Sequence, residues 1–368
     1  MEFFASASPG TEYALLEELR DLGFRGTRRI PGGVPFGGSL SDGAYACLHS
    51  RIAQRILCQL ARFECPDEDA LYAGALACEW MPHISPDTTI AVSAYTAESA
   101  VENSMYASVR VKDAIADQLR EATGSRPDVD RDDPDVRVFL HLWRNRATLY
   151  LDLSGAPLFQ RGYRRTGGEA PLKETLAAAL LRMSGWDGQT PLIDPMCGSG
   201  TIAIEAALWA TNSAPGILRE RFGFERWASH DEETADGMRR LRGEARRKCR
   251  GARPRIIASD VDPDALEAAK ENARVAGVRL TFREADVMKL QAGEGRFIVT
   301  NPPYDVRMEA EPRFFQQLGA SLLKQRGCTA TLLAGTPLVR KCIPLEPVRA
   351  DRIRNGPLPC EVLTYRID

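Results

Sequence analysis

The second half of the chain alternates helical patterns with short apolar strands, and this alternation limits the possible folds more than any other feature of the sequence. It begins near Pro171 and continues to about Leu333. Helices that alternate with strands cover both faces of a parallel sheet, so this half predicts an open α/β domain. The predicted segments are the helices 172–183, 201–210, 265–276 and 314–324 and the strands 192–193, 256–257, 280–282, 297–300 and 329–333.

Four of these strands end in polar loops. Asp194-Pro-Met-Cys-Gly-Ser-Gly-Thr201 follows the first strand, Asp260 and Asp286 follow the next two, and Asn301-Pro302-Pro303-Tyr304 follows the fourth. Ligands of open α/β sheets bind at the carboxyl ends of the strands. Each acid alone is typical of a helix cap or a solvated loop, but together the four loops predict one binding site. We expect Asp262 or Asp264 to cap the next helix.

The Asn-Pro-Pro-Tyr loop has the chemistry to hold a planar group that carries an amine. Neither proline has an N–H, so the Asn301 amide and the Pro302 carbonyl can both act as acceptors, and Tyr304 adds a ring that can stack. A nucleobase fits this set best. The alternative is a structural Pro-Pro loop beside a buried tyrosine.

The glycine-bearing loop after the first strand predicts a ligand held close to backbone N–H groups at a helix start. It is neither the dinucleotide-binding Gly-x-Gly-x-x-Gly pattern nor a phosphate loop. A leading acid suits a cationic or hydroxyl-bearing ligand such as S-adenosylmethionine (SAM), with Asp260 on the ribose hydroxyls and Asp286 on the adenine amine. We interpret Cys197 as a small packing residue.

The first half predicts an α+β module that a basic, glycine-bearing linker joins to the α/β domain. We place the boundaries at residues 1–55, 56–154, 155–170 and 171–368. The net charge of −2 does not itself indicate nucleic-acid binding, and the basic run 239–255 is typical of a solvated helix end. Nine scattered cysteines and four histidines lack metal-ligand spacing, so we expect no metal. With no secretory signal or apolar span in the sequence, we expect a cytoplasmic protein.

The loops 194–201 and 301–304 resemble those of class I SAM-dependent methyltransferases that methylate amines. More narrowly, the chain resembles the THUMP-domain RNA guanine-N2 methyltransferases, above all the bacterial enzymes that act on large-subunit (23S) rRNA, in the N-terminal half of their bifunctional form. The segments that carry this resemblance are 109–115, 151–155, 161–164, 170–174 and 221–227. Asp305 stands where the family usually has glycine, and because the sequence ends at Asp368 we expect no second methyltransferase domain.

The resemblance implies a Rossmann-like methyltransferase domain with a seven-stranded, mostly parallel sheet, preceded by an α+β THUMP-containing RNA-binding module. It also implies SAM as cofactor, rRNA or tRNA as partner, and a guanine flipped from its stack. The implied catalytic residues are Asn301, Pro302, Pro303 and Tyr304. The implied cofactor-binding residues are Asp194, Pro195, Met196, Gly198, Ser199, Gly200, Thr201, Asp260, Val261, Asp286 and Val287. Candidate RNA contacts are Lys112, Arg161, Arg164 and Arg165.

Three other functions fit the same loops. A tRNA guanine-N2 methyltransferase shares them, an adenine-N6 or glutamine-N5 methyltransferase uses the same Asn-Pro-Pro-Tyr chemistry, and a non-catalytic RNA-binding protein is the alternative of a different class. The oligomeric state is not encoded in any of these patterns.

Overall fold

A computed structural model of the chain describes residues 1–164, 172–251, 255–303 and 312–368. The predicted catalytic residue Tyr304 and the predicted RNA contact Arg165 lie outside these ranges. The described residues form two seven-stranded sheets, one in each half of the chain.

The first half is an α+β module built on one mixed sheet of order β2-β1-β3-β7-β6-β4-β5. Its strands are β1 (Glu2–Ser6), β2 (Gly33–Gly37), β3 (Arg55–Glu64), β4 (Thr89–Ala97), β5 (Asp128–Val129), β6 (Val136–Trp143) and β7 (Arg146–Asp152), and its helices are α1 (Glu12–Asp21), α2 (Leu40–His49), α3 (Glu68–Leu76) and α4 (Ser104–Thr123). Because β3 pairs with both β1 and β7, the units predicted at 1–55 and 56–154 share this sheet. The boundaries between them stay a prediction.

Only one face of this sheet is fully buried. Along β6 the side chains of Val136, Val138, Leu140 and Leu142 are buried, and those between them are half-buried or exposed. Side chains alternate between the two faces of a strand, so every second residue of β6 points to the same side. The buried face packs against helices that include α1, α2 and α4, in one hydrophobic core. The opposite face of the sheet forms an open groove.

The second half is the predicted Rossmann-like domain, with sheet order β10-β9-β8-β11-β12-β14-β13. Its strands are β8 (Leu192–Asp194), β9 (Ile256–Asp260), β10 (Thr281–Glu284), β11 (Phe297–Thr300), β12 (Cys328–Ala334), β13 (Arg349–Asn355) and β14 (Leu358–Ile367), and its helices are α5 (Glu174–Met183), α6 (Thr201–Ala210), α7 (Glu232–Lys248), α8 (Pro263–Ala276), α9 (Pro312–Leu322) and α10 (Leu338–Cys342). Strands β8 to β12 run parallel to one another, and β14 pairs antiparallel with both β12 and β13. The fold class is therefore confirmed.

The chain order around β8 creates the crevice in which a ligand can bind. After β8 the chain adds β9 and β10 on one side and then returns to place β11 on the other. The loops after β8 and β11 leave in opposite directions at this switch point, which opens a crevice at the carboxyl ends of the strands. All four polar loops singled out in the sequence follow strands on this edge.

Two arginines, half-buried Arg51 and buried Arg219, join the two halves at their interface. The Arg51 guanidinium donates to the carbonyls of Leu208 and Ser213 at 3.2 and 2.7 Å. Arg219, from the second half, donates to four carbonyls between residues 154 and 160 at 2.8–3.0 Å. The described part of the predicted linker is thus packed between the halves and is not a free tether.

Candidate active site

The loop after β8 depends on two glycines with left-handed backbone. Gly198 and Gly200 have φ values of +50° and +85°, which other residues rarely adopt. A side chain at Gly198 would stand in open space, whereas a Cβ at Gly200 would lie 3.0 Å from the Cβ of Ala269 in α8. Gly200 therefore packs the start of α6 against α8, and Gly198 leaves the surface of the loop open to a ligand.

Asp194, at the end of β8, is a buried carboxyl with 1% exposure. Thr300, at the end of β11, donates to its Oδ1 at 2.8 Å. Burial raises the pKa of Asp194 to about 7, and the nearby charge of Asp260 adds to that rise, while the bond from Thr300 opposes it. Asp194 thus connects the first and fourth loops from beneath, and its side chain is not on the open surface. Pro195 is likewise buried, and Met196 and Ser199 are half-buried.

Asp260 links the loops after β8, β9 and β10. Its Oδ2 accepts the N–H of Gly198 at 2.8 Å and its Oδ1 accepts the N–H of Asp262 at 3.1 Å. The Asp260 carbonyl accepts the N–H of Ala285 at 2.9 Å. Each carboxylate oxygen has a second lone pair, so Asp260 can still accept from a ligand hydroxyl. The structure confirms Asp262 as the cap of α8.

The remaining predicted cofactor contacts follow β9 and β10. Val261 is 70% exposed beside it, while the side chain of Val287 is buried in the core. Asp286 caps the short 3₁₀ helix Val287–Lys289 through a bond from the N–H of Met288 at 2.9 Å. An aspartate that caps a helix keeps acceptor capacity for a ligand amine.

The loop after β11 contains a buried acceptor without a partner. Asn301 Oδ1 is shielded from solvent and has no hydrogen-bond partner within the described ranges. Pro302 is buried and Pro303 is exposed. A buried carbonyl oxygen left without a donor costs about 1–3 kcal/mol, so this atom is suited to receive a donor from a ligand.

Arg161 does not have its predicted role. Its side chain is 2% exposed and forms an ion pair at 3.4 Å with Glu205 of α6, whose side chain is 0% exposed. It also donates to the carbonyls of Leu158, at 2.7 Å, and Arg51. A buried and fully engaged guanidinium cannot reach an RNA phosphate, so the prediction of a direct contact was wrong.

Arg164 is half-buried and is held by contacts within the protein, beside the cofactor loop. It pairs with Glu174 at 2.9 Å, and it donates to the hydroxyls of Ser199 at 3.3 Å and Thr201 at 3.0 Å and to the Leu172 carbonyl at 3.0 Å. These four partners replace the predicted phosphate contact with a role in fixing the loop. Lys112 is half-exposed and lies in the groove of the first sheet, with Asp113 at 2.7 Å.

Two contributors to the site were missed by the sequence analysis. Thr300 is a polar residue inside the apolar run of β11, next to Asn301, and that position was the available signal. Asn272 of α8 is buried and donates to the carbonyl of Ser199 at 3.1 Å, and nothing in the sequence indicated this contact. Burial also raises the pKa of the Cys197 thiol, which keeps it protonated and unreactive.

Three family models match the chain in sequence order. An RlmL ferredoxin-like domain matches residues 2–57, a THUMP domain matches 65–152, and an RMKL-like methyltransferase domain matches 161–364. The part of the chain that the structure describes has no helix long and apolar enough to cross a bilayer. In that same part, no three acidic, histidine or cysteine side chains are grouped so that they could hold a metal ion.

Relatives of this chain are named as rRNA methyltransferases. The "Ribosomal RNA large subunit methyltransferase K/L" of Aeromonas salmonicida is 39% identical over 390 residues, and that of Syntrophotalea carbinolica is 40% identical over 383. Each alignment covers 100% of this chain and 54% of the relative. The chain therefore spans about half the length of the curated relatives that it matches.

Solved structures share the whole fold. SMU.472, solved as a complex with S-adenosylhomocysteine (SAH), aligns with a TM-score of 0.88 at 26% identity and covers 100% of this chain and 98% of its own. A chain from Listeria monocytogenes, described as a predicted N6-adenine-specific DNA methylase, aligns with a TM-score of 0.89 at 29% identity over 100% and 96%.

Proposed function

The chain belongs to the RMKL-like methyltransferase family, and on that premise we propose that it transfers a methyl group from SAM to the exocyclic N2 amine of a guanine in RNA. The family match includes every loop at the carboxyl edge of the second sheet. A THUMP domain in the first half supports RNA as the substrate.

The loops after β8, β9 and β10 suit SAM. Gly198 leaves room for a ligand to approach the backbone, and Asp260 retains acceptor capacity for ribose hydroxyls. Asp286 follows the neighbouring strand and would accept from the adenine amine. Val261, the exposed residue after Asp260, would give the adenine ring an apolar surface. When bound, SAM supplies an electrophilic methyl group.

The observation that carries the proposal is the unpartnered Oδ1 of Asn301. An amino group of a base is a planar donor with two N–H bonds, and one of them would satisfy this buried oxygen. The Pro302 carbonyl is the proposed acceptor for the other. The stacking role of Tyr304 stays a prediction.

In this arrangement the loop acts by positioning the amine. Neither an amide oxygen nor a carbonyl oxygen is a strong base, so its contribution is to orient the nitrogen lone pair toward the methyl donor. A base must leave its helical stack to reach such a crevice, which fits a flipped nucleotide.

We propose large-subunit rRNA as the substrate, with tRNA as the second candidate. The relatives named for large-subunit rRNA align with the entire chain at 39–40% identity. A bacterial rRNA substrate is reached in the cytoplasm, which is the location we propose.

A methylation assay on two classes of RNA tests the function. Transcripts of 23S rRNA and of tRNA are incubated with the chain and labelled SAM, and the digested nucleosides are identified by mass spectrometry. We expect N2-methylguanosine in 23S rRNA and none in tRNA. N6-methyladenosine would identify the adenine enzyme instead, and no product from either RNA would favour the non-catalytic alternative.

A variant at Asn301 tests the loop. We expect Asn301→Ala to reduce the rate of transfer at least 100-fold, because the amine loses its fixed acceptor. Gln189→Ala, which removes an exposed amide in the same domain, is the matched control and keeps full activity. Unchanged transfer by Asn301→Ala would refute the proposed role of the loop.

A further inference from the structure

The open face of the first sheet forms a groove of about 1060 Å³, and of the candidate RNA contacts Lys112 lines it. Strands β1, β3, β4, β6 and β7 all contribute to it, so it extends across both units predicted for this half. The contacts that join the two halves involve other surfaces, which leaves this groove accessible to a partner.

The lining of the groove is strongly basic. Seven cationic side chains line it, against two carboxylates, those of Glu2 and Asp152. Arg55 already forms an ion pair with Asp152. The seven cations are Arg28, Arg55, Arg62, Lys112, Arg131, Arg137 and Arg146.

Three of these cations are available to a partner. Arg28, Arg62 and Arg131 are exposed, and none of their side chains forms a hydrogen bond or an ion pair with another residue in the described ranges. Exposed arginines that form no ion pair are suited to phosphate groups, which they can contact with two N–H donors.

Aromatic rings run across the same face. Phe4 of β1, Tyr150 of β7 and Phe139 of β6 all line the groove, and the Tyr150 ring centroid lies 6.3 Å from that of Phe4 and 6.4 Å from that of Phe139. His141, two residues beyond Phe139, stacks on Tyr95 at 5.5 Å with the planes 9° apart. Aromatic side chains on an open sheet give nucleobases a surface on which to stack.

We propose that this groove binds an unpaired segment of the RNA substrate, with bases against the aromatic row and phosphates on the free arginines. The inference rests on the proposed function for the identity of the partner. An unpaired strand exposes the faces of its bases, whereas a duplex conceals them and offers only its backbone. The combination of rings and cations therefore favours the unpaired form.

Binding of two fluorescein-labelled RNAs tests the groove, one a mixed-sequence single strand of about 12 nucleotides and the other a hairpin without unpaired ends. We expect Phe139→Leu, which keeps an apolar side chain but has no ring, to weaken binding of the single strand about tenfold and to leave hairpin binding nearly unchanged. Phe139→Trp keeps the ring and should retain the affinity. Arg62→Glu should weaken binding and reduce its salt dependence.

Matched controls lie in the same half but outside the groove. Arg126→Glu changes the charge at an exposed arginine, and Tyr13→Leu removes an exposed ring on α1, and both should bind the single strand like the wild-type chain. Unchanged affinity in Phe139→Leu and Arg62→Glu would overturn the proposal. An equal loss of affinity for the two RNAs in Phe139→Leu would also overturn it. So would the finding that the wild-type chain is a dimer and that Arg62→Glu dissociates it, because the groove would then be an interface between two copies of the chain.

The methylation assay separates this proposal from the function on which it rests. If the wild-type chain transfers no methyl group but binds the single strand through the groove, the proposed chemistry fails and the groove holds. If it methylates RNA, and the groove variants keep both affinity and KM, the groove alone fails.

Discussion

Thr300 donates a hydrogen bond of 2.8 Å to the buried carboxyl of Asp194, although 106 residues separate the two in sequence. The bond connects the ends of β8 and β11, the two strands between which the chain order reverses. The loop proposed to hold the cofactor and the loop proposed to hold the base therefore share one internal contact.

Replacing Thr300 should loosen both loops. Thr300→Val keeps the volume of the side chain but removes the donor, so we expect the free energy of unfolding to fall by about 1–3 kcal/mol. Urea denaturation followed by circular dichroism measures the change. Thr300→Ser retains the hydroxyl and should cost less, and equal losses for serine and valine would argue against the bond as the cause.

The raised pKa of Asp194 predicts a pH-dependent stability for the ligand-free chain. An unfolded aspartate titrates near pH 4, while folded Asp194 titrates near pH 7. Between these values the folded state binds more protons, so stability falls as pH rises, by at most about 4 kcal/mol, and then levels off.

Asp194→Asn isolates this contribution, because an amide does not titrate in that range but keeps an acceptor for Thr300. From pH 5 to pH 7 we expect the wild-type chain to lose stability through Asp194 while the variant does not. The free energy of unfolding of the variant should therefore rise steadily relative to that of the wild-type chain. Parallel pH profiles would show that Asp194 has an ordinary pKa.

Removing Arg161 should destabilise the junction of the two halves. Arg161→Met leaves Glu205 buried without its cation, and breaking a buried pair in this way costs about 3–5 kcal/mol. Adding Glu205→Leu should recover much of the loss, since neither charge then remains. A double-mutant cycle by chemical denaturation measures the coupling, and additive losses would contradict it.

Arg164 should act on cofactor affinity. Arg164→Ala removes the donors to Ser199 and Thr201, and we expect binding of SAH, measured by calorimetry, to weaken about tenfold, the equivalent of one hydrogen bond. Arg182→Ala removes an arginine on α5 that pairs with Asp21, and it should leave SAH affinity unchanged. Equal affinity in the two variants would exclude the role of Arg164.

Local patterns in the sequence predicted much of the fold. The helix predicted at 201–210 is α6 (Thr201–Ala210), and Asp262 is a helix cap as expected. Strand periodicity, caps and glycine turns depend on residues that are close in sequence, so they can be predicted without the structure. The four polar loops lie on one edge of the sheet because the alternation of helices and strands makes the strands parallel, and parallel strands have their carboxyl ends at the same edge.

The contacts that the sequence did not predict join distant residues. An arginine has the same charge whether it faces solvent or is buried, so Arg161 was assigned to RNA when its partner is Glu205 in another element. The groove on the first sheet likewise depends on which strands become neighbours: Phe4 and Phe139 approach Tyr150 only once β1, β3, β7 and β6 are aligned. Such pairings are set by topology.

The arginines at the junction have a consequence for how a target nucleotide is chosen. Arg51 binds main-chain carbonyls of the second half, and Arg219 binds those of Ser154 and the linker, so these contacts are lost if one half turns against the other. The distance between the groove and Asn301 is therefore fixed by the fold. On the proposed function, the guanine that is modified is the one that the folded RNA presents at that distance from its anchored strand.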